Sequence, residues 1–276
     1  MANKEQTEKS IMEYWVSKSN ELVQRARYSL SLRESRALDY AVSKIQKADK
    51  PDRIYKVDSN EAYKVITNTE HLGGKDPRQA YQIFYGLQYR PVQIYLKAGH
   101  RVAFNWFDHV GIDENTGEIE FQFHRFLEPY LFGQTENFTA YWLQNTAKMR
   151  SVYGPRLYQV LKSYAKGKKI EKTFTLDELK DAIGASFEAV KNRSGVYEIK
   201  PTKSYEMYGK LKQAVIDPAV EDVNTFSDMV VSYEAIKTGR KVTAIKFIVN
   251  DNHAEAGARY LDHLDRQRHP ERYTTP

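Results

Sequence analysis

The segment Tyr153–Lys172 constrains this chain more than any other. Gly154-Pro155 suits a helix start, because proline's fixed φ is already helical and its missing N–H is one the first turn leaves unpaired. Leu157, Val160, Leu161 and Tyr164 recur at helical spacing and form one apolar stripe. Arg156, Lys162, Lys166, Lys168 and Lys169 fall off that stripe. The pattern predicts one wall of a core with a positively charged exterior.

Downstream, Thr175-Leu176-Asp177-Glu178 is a capping box, with Phe174 and Leu179 placed for a hydrophobic staple. Its short helix ends at Gly184. Phe187–Lys203 reads as irregular. A third helix is predicted to begin near Gly209, with Leu211, Val215, Ala219 and Val223 inward. Pro218 lies in mid-pattern, where a helix interior pays about 3 kcal/mol, so a kink or break is expected there. Val230–Tyr233 and Val242–Val249 alternate as strands around a turn at Thr238-Gly239, and Lys237, Arg240 and Lys241 crowd the tip.

The first half runs in the same order. Residues 1–16 read as a polar tail with a short helix at Ile11–Val16. Ser31-Leu32-Arg33-Glu34 is a capping box, and helical spacing through Leu38, Val42 and Ile45 extends to about Gln46. A short helix follows at about Ser59–Ile66. Asp76-Pro77 starts a third that runs to about Tyr89, with Ala80, Ile83, Phe84 and Leu87 inward. Val102–Phe107 and Ile119–Phe123 are expected to form a hairpin closed by Asp113–Gly117. Leu127–Gly133 links the halves. Three helices closed by a hairpin, twice, give the fold class: α+β, two tandem winged-helix domains related by a pseudo-repeat. The division is a tail at 1–16, domains at 17–130 and 131–250, and a tail from 251 to 276, with a short amphipathic helix expected at Ala254–Leu264.

The 276 residues are 41% hydrophobic with 20 Tyr and 12 Phe, enough for folded cores. There is no cysteine, which excludes disulfides and thiolate metal sites and fits a reducing cytoplasm. No apolar run approaches a membrane span, and the N-terminus lacks a signal-peptide core. The formal net charge is +6, and its distribution says more. Residues 148–212 carry 15 Lys and Arg against 7 Asp and Glu. Clustered positive charge is what a polyanion-binding face requires, although a solvated lysine-rich surface has the same signature.

A helix fits the DNA major groove, and its exposed Lys, Arg, Gln and Asn reach base edges. In the second half the candidate DNA-binding residues are Lys203, Ser204, Tyr208, Lys210, Lys212 and Gln213, with Arg240 and Lys241 reaching the backbone from the hairpin tip. Lys210 and Lys212 suit phosphate and Gln213 suits adenine. In the first half the matching set is Lys75, Arg78, Gln79 and Gln82. Each alone is an ordinary exposed residue; their coincidence on a third helix and a wing favours DNA in the second half. No catalytic residue, metal ligand or cofactor is predicted. Gly73-Gly74-Lys75-Asp76 lacks the earlier Gly, the following Ser or Thr and the preceding strand of a phosphate loop. His253, His263 and His269 lack ligand spacing, and His100, His109 and His124 read as structural. A strand-nicking enzyme would need a His-x-His pair, and none exists.

The stretches Arg156–Gly184, Tyr208–Asn224 and Val231–Val249 together resemble the iteron-binding plasmid replication initiators, the initiator replication protein family. The RLYxxLKxY opening, the VIDPAVxxVN segment and the SYExIKxGRKVTAIxF hairpin carry the likeness. Ser19–Ile45 is similar to the family's opening, and the likeness spans about residues 17–250. Gly209 departs from the polar cap expected before a DNA-reading helix. The resemblance implies two winged-helix domains, the first serving dimerisation and DNA contact and the second reading directly repeated double-stranded origin DNA. It assigns DNA reading to Lys210, Lys212, Gln213, Arg240 and Lys241. It also implies a monomer–dimer equilibrium, repression of the protein's own promoter by the dimer, and recruitment of host DnaA, replicative helicase and primase, with no covalent chemistry. A cytoplasmic, plasmid-encoded bacterial protein is expected, without a membrane partner. The alternative is a winged-helix transcriptional repressor with no replication role.

Overall fold

The computed structural model describes residues 14–69, 76, 78–97, 100–134 and 136–251. The chain opens with β1 (Trp15–Ser19), α1 (Asn20–Arg25) and α2 (Leu32–Val42). β1 pairs antiparallel with β7 (Phe138–Trp142), and Trp15 stacks on Trp142 at 4.2 Å. A strand from Trp15 therefore replaces the end of the helix expected at Ile11–Val16, because a pairing partner 120-odd residues away is invisible to local periodicity. The rest of that helix, and the one expected at Ala254–Leu264, lie outside the described residues.

In the first domain α2 is followed by β2 (Tyr55–Asp58), α3 (Ser59–Thr67) and α4 (Arg78–Leu87). The Ser31 capping box forms in full: Ser31 Oγ accepts from the Glu34 N–H, and Glu34 Oε2 accepts from the Ser31 N–H at 2.7 Å. Then come β3 (Pro91–Lys97), β4 (His100–Asn105), β5 (Phe107–Ile112) and β6 (Glu118–Phe123). The expected pairing of Val102–Phe107 with Ile119–Phe123 is corrected here. β4 pairs with β3, and β6 takes β5 as its wing partner. Trp106 divides the apparent run: its side chain is fully buried and its carbonyl accepts from the His124 N–H at 3.0 Å. Phe84 of α4 meets Phe107 and Phe121 of the wing at 5.9 and 5.2 Å between ring centroids, so the third helix is seated on an aromatic core.

A 3-10 turn (Arg125–Leu127), α5 (Glu128–Leu131), β7 and α6 (Gln144–Ala147) connect to the second domain. There α7 (Gly154–Ala165), β8 (Lys169–Thr175) and α8 (Leu176–Ile183) precede β9 (Phe187–Lys191) and β10 (Tyr197–Pro201). The third helix follows as α9 (Tyr208–Leu211), a π-helical turn (Lys212–Ile216) and α10 (Asp217–Phe226), then β11 (Val230–Thr238) and β12 (Lys241–Asn250). The Thr175–Glu178 capping box and the left-handed Gly184 stop both form. In each domain the strand after the first helix pairs with the last wing strand: β2-β6-β5 in one, β8-β12-β11 in the other. That shared topology makes the chain two winged-helix domains related by a pseudo-repeat.

Phe187–Lys203, expected to be irregular, contains the antiparallel β9–β10 hairpin. Its turn is held by Asn192 Oδ1, which accepts from the Ser194 and Val196 N–H groups, with Gly195 at φ +83°. Glu188, Lys191, Glu198 and Lys200 are exposed, so the strands lack the apolar alternation that reveals one.

The positive exterior expected for α7 is also corrected. Every residue from Gly154 to Ser163 is buried, because α7 packs on α1 and β7 as well as on α8, α10 and its own sheet. Arg156 stacks its guanidinium over the Tyr28 ring at 4.3 Å and donates to the Tyr28 hydroxyl and to the Ala26 and Ala182 carbonyls. Lys162 pairs with Asp228 at 2.8 Å and Asp251 at 2.6 Å. Nearby, Asp39 accepts from Lys18 at 2.6 Å and from Thr146 at 2.9 Å. Buried charge persists where it is paired and hydrogen-bonded, as Lys162, Lys18 and Asp39 are. Arg156 is instead held by neutral acceptors and the Tyr28 ring, with its buried Nε left without a partner among the described residues. Lys166, Lys168 and Lys169 remain exposed beyond the helix.

Candidate nucleic-acid interface

The third helix of the second domain must pass Pro218, which has no N–H and whose ring collides with the carbonyl of a regular preceding turn. The chain does not break there: α9, the π-turn and α10 follow one another without a gap. The π-turn Lys212–Ile216 widens the helix, and the Asp217 N–H bonds to the Lys212 carbonyl. Such single-turn bulges absorb a local misfit inside an otherwise continuous helix. Leu211, Val215 and Ile216 stay in the core while Lys210, Lys212, Gln213 and Ala214 face solvent. Tyr208 is half-buried against the core, and Lys203 and Ser204 are exposed in the loop before it.

The wing stands beside this helix. Tyr233 of β11 donates to Asp217 Oδ1, and Asp217 Oδ2 accepts from Lys212 Nζ at 2.6 Å. Partial burial pushes the Asp217 carboxyl up, but the Lys212 and Tyr233 hydrogen bonds outweigh it and hold the group below the usual carboxylate range. The same carboxylate, with the Tyr233 hydroxyl, raises Lys212. Lys212 is therefore charged but internally paired, whereas Lys210 and Gln213 project from the exposed face without an intrahelical ion pair among the contacts described. At the wing tip Gly239 has φ +62° and Arg240 does not, the pattern of a two-residue turn with glycine first. Lys237, Arg240 and Lys241 are exposed there. The wing strand thus meets the helix through Tyr233 and carries a basic tip, an arrangement suited to contacting phosphate from two elements.

The first domain presents a different surface. Arg78, Gln79 and Gln82 lie together on the outward face of α4, and Asp76 Oδ1 accepts from the Arg78 N–H at 2.9 Å. Lys75 lies outside the described residues. Beside Gln82 runs an aromatic series that continues past the end of α4: Tyr81, Tyr85 and Tyr89 follow one another with centroids 5.8 and 5.2 Å apart, and the Tyr89 hydroxyl donates to that of Tyr85. Sequence reading passed over this ladder, although tyrosines four apart announce it. The wing tip here is acidic, with Asp113, Glu114 and Glu118 exposed or half-exposed. Among the described residues, the two wing tips therefore carry opposite signs.

Comparison with known proteins decides the family. The initiator replication protein WH1 profile matches residues 15–162, and the initiator Rep protein WH2 profile matches residues 196–249. The chain belongs to the initiator replication protein family. Among solved structures, this initiator-family chain is similar to the Pi initiator protein, whose crystal structure is in complex with iteron DNA. The two share 19% identity and a TM-score of 0.65, covering 87% of this chain and 98% of that one. A replication protein WH1 domain isolated from a multiple sclerosis patient matches over 36% of this chain and 79% of its own, at 18% identity and a TM-score of 0.27. An uncharacterized 27.6 kDa protein of Escherichia coli is 24% identical over 243 residues, covering 83% of this chain and 93% of that protein. Within the family frame, the surface described above belongs to the WH2 third helix and wing, and Pro218, Asp217 and Lys212 all fall inside the matched WH2 region.

Proposed function

We propose that this initiator binds directly repeated double-stranded DNA at a plasmid origin, sequence-specifically, with Lys210 and Gln213 of the second domain at base edges or phosphate and Arg240 and Lys241 on the flanking backbone. The observation that carries this reading is an exposed, basic third-helix face joined through Tyr233 to a wing whose tip is also basic, on one domain. Family membership supports a role in replication over repression alone, and the likeness to a protein solved with iteron DNA agrees with it. Lys203 and Ser204 in the preceding loop, with Tyr208 at the start of the same helix, suit phosphate contact. Lys212 contributes once Asp217 gives it up. Arg78, Gln79 and Gln82, with Lys75, form a second, weaker contact through α4. No covalent chemistry is assigned to the protein.

Residues 17–130 and 131–250 act as the two DNA-engaging domains. As a monomer the protein opens the origin and recruits host DnaA, helicase and primase. As a homodimer it represses its own promoter, and it does so in the cytoplasm. The experiment is a footprint across the origin and promoter beside its gene. Protection of tandem direct repeats supports the initiator reading, and protection of an inverted repeat alone moves it to a repressor.

A further inference from the structure

Among the described residues, each domain carries one β-hairpin beyond the shared winged-helix plan, at a different point in the order. In the first, β3–β4 leaves directly from the end of α4; in the second, β9–β10 leads into α9. The two insertions meet, with β10 packed against β3. Arg90, between α4 and β3, lays its guanidinium 4.2 Å from the centroid of the Tyr197 ring at the start of β10. Its Nε donates to Glu34 at 2.7 Å, which fixes it against the capping box of α2. Arg27 holds the other side of β3. Its backbone exchanges hydrogen bonds with Gln93 at 2.8 and 2.9 Å, and its guanidinium contacts Tyr95 and the Asp181 carboxylate of α8. The protein path from one third helix to the other is therefore short and crosslinked.

Two DNA-binding heads on a slack linker tolerate changes in the distance between their half-sites, because the linker absorbs them. Heads joined rigidly do not. One added base pair shifts a half-site by about 3.4 Å and turns it by about a tenth of a helical turn. We propose that the β3–β10 contact, with Arg90, Tyr197 and Arg27 as positioning residues, fixes the separation of the two third helices and makes half-site spacing within one DNA repeat a specificity determinant. This rests on the reading that both third helices engage one duplex.

The test is fluorescence anisotropy of the full chain on a duplex carrying one direct repeat from beside its gene, on the same duplex with a single base pair inserted at successive internal positions, and on a shuffled duplex. The wild type is expected to lose at least ~10-fold in affinity for an insertion between the half-sites. The Arg27→Ala/Tyr197→Ala double variant is expected to lose less than ~3-fold for the same insertion, relative to its own affinity for the parent repeat. A variant that was merely less stable would lower every affinity together and leave that ratio unchanged. Tyr197→Leu, which keeps apolar bulk on β10, provides a second variant with the same expected direction. Wild-type tolerance of the insertion overturns the proposal, as does an unrelaxed ratio in both variants. Equal wild-type affinity for parent and shuffled duplexes overturns the function reading itself and this inference with it.

Discussion

Lys212 Nζ and Asp217 Oδ2 are 2.6 Å apart although five positions separate the two residues. On a regular α-helix that spacing would point the side chains roughly 140° apart. The π-turn brings them onto one face, and Pro218 explains why the turn is there. A proline inside the third helix thus brings Lys212 into its pair with Asp217.

If Asp217 holds Lys212 back from phosphate, Asp217→Asn releases one cation. Affinity for all duplexes should rise together, and the slope of log affinity against log salt should steepen by about 0.9. Anisotropy at several salt concentrations measures it. An unchanged or shallower slope would show that Lys212 already reaches the backbone.

Arg240→Ala and Lys241→Ala remove charges at the exposed wing tip, which the proposed reading sets on the DNA backbone. Each should weaken specific and shuffled duplexes about equally and reduce the salt slope by about one. Loss confined to the specific duplex would place the wing in a groove instead.

Gln213→Ala should alter preference at a single base-pair position, by about 1–3 kcal/mol, and leave affinity for shuffled DNA nearly unchanged. Selection of binding sites from a randomised repeat reads this directly. Untouched preference at every position would remove Gln213 from the reading surface.

How much of this was legible in sequence depends on the range of the interaction. The Ser31 and Thr175 capping boxes, the Gly184 stop and the β11–β12 hairpin are written in residues three to twenty apart, and all are present. Lys162 looked like an exterior lysine because its partner Asp251 lies 89 positions away, and spacing along one helix cannot separate a buried, paired lysine from a solvated one. Trp106 disguised a strand boundary as a continuous alternation, and the charged β9–β10 strands had no apolar face to declare them. The candidate surface was legible in residue type at the wing and third helix, and the tyrosine ladder in its four-residue spacing, but the pairing of Lys212 required the fold.

The Lys18–Asp39 pair is almost wholly withdrawn from water, at 2% and 1% exposure. Asp39→Ala leaves a buried ammonium without its partner and should destabilise the protein by about 3–5 kcal/mol, whereas Lys18→Met with Asp39→Leu should recover most of that loss. Urea unfolding distinguishes them. Equal loss in both would mean that the contacts of Thr146, and not the ion pair, dominate.

Asp222 supplies a pH dependence. Burial raises its carboxyl above the ordinary value, and hydrogen bonds from the Ser151 and Arg150 N–H groups only partly oppose this. A raised folded value means that the folded state holds the proton more tightly than the unfolded chain. Its stability contribution is therefore present below the unfolded value near 3.9 and is lost as pH climbs through the folded value. The Tm of Asp222→Asn minus that of the wild type should accordingly grow from pH 4 to pH 7. A constant difference would show that the two amide bonds fully compensate burial.

The central claim is that the second domain reads base sequence and does not merely attract polyanions. The most direct measurement is anisotropy of the full chain on one direct repeat from beside its gene against a shuffled duplex, at about 50 and about 200 mM salt. With roughly 6–10 phosphate contacts, both affinities should fall by about 10³–10⁵-fold between the two salts. The account predicts that the preference for the repeat persists at the higher salt. Equal affinity for the two duplexes, lost together as salt rises, would contradict it.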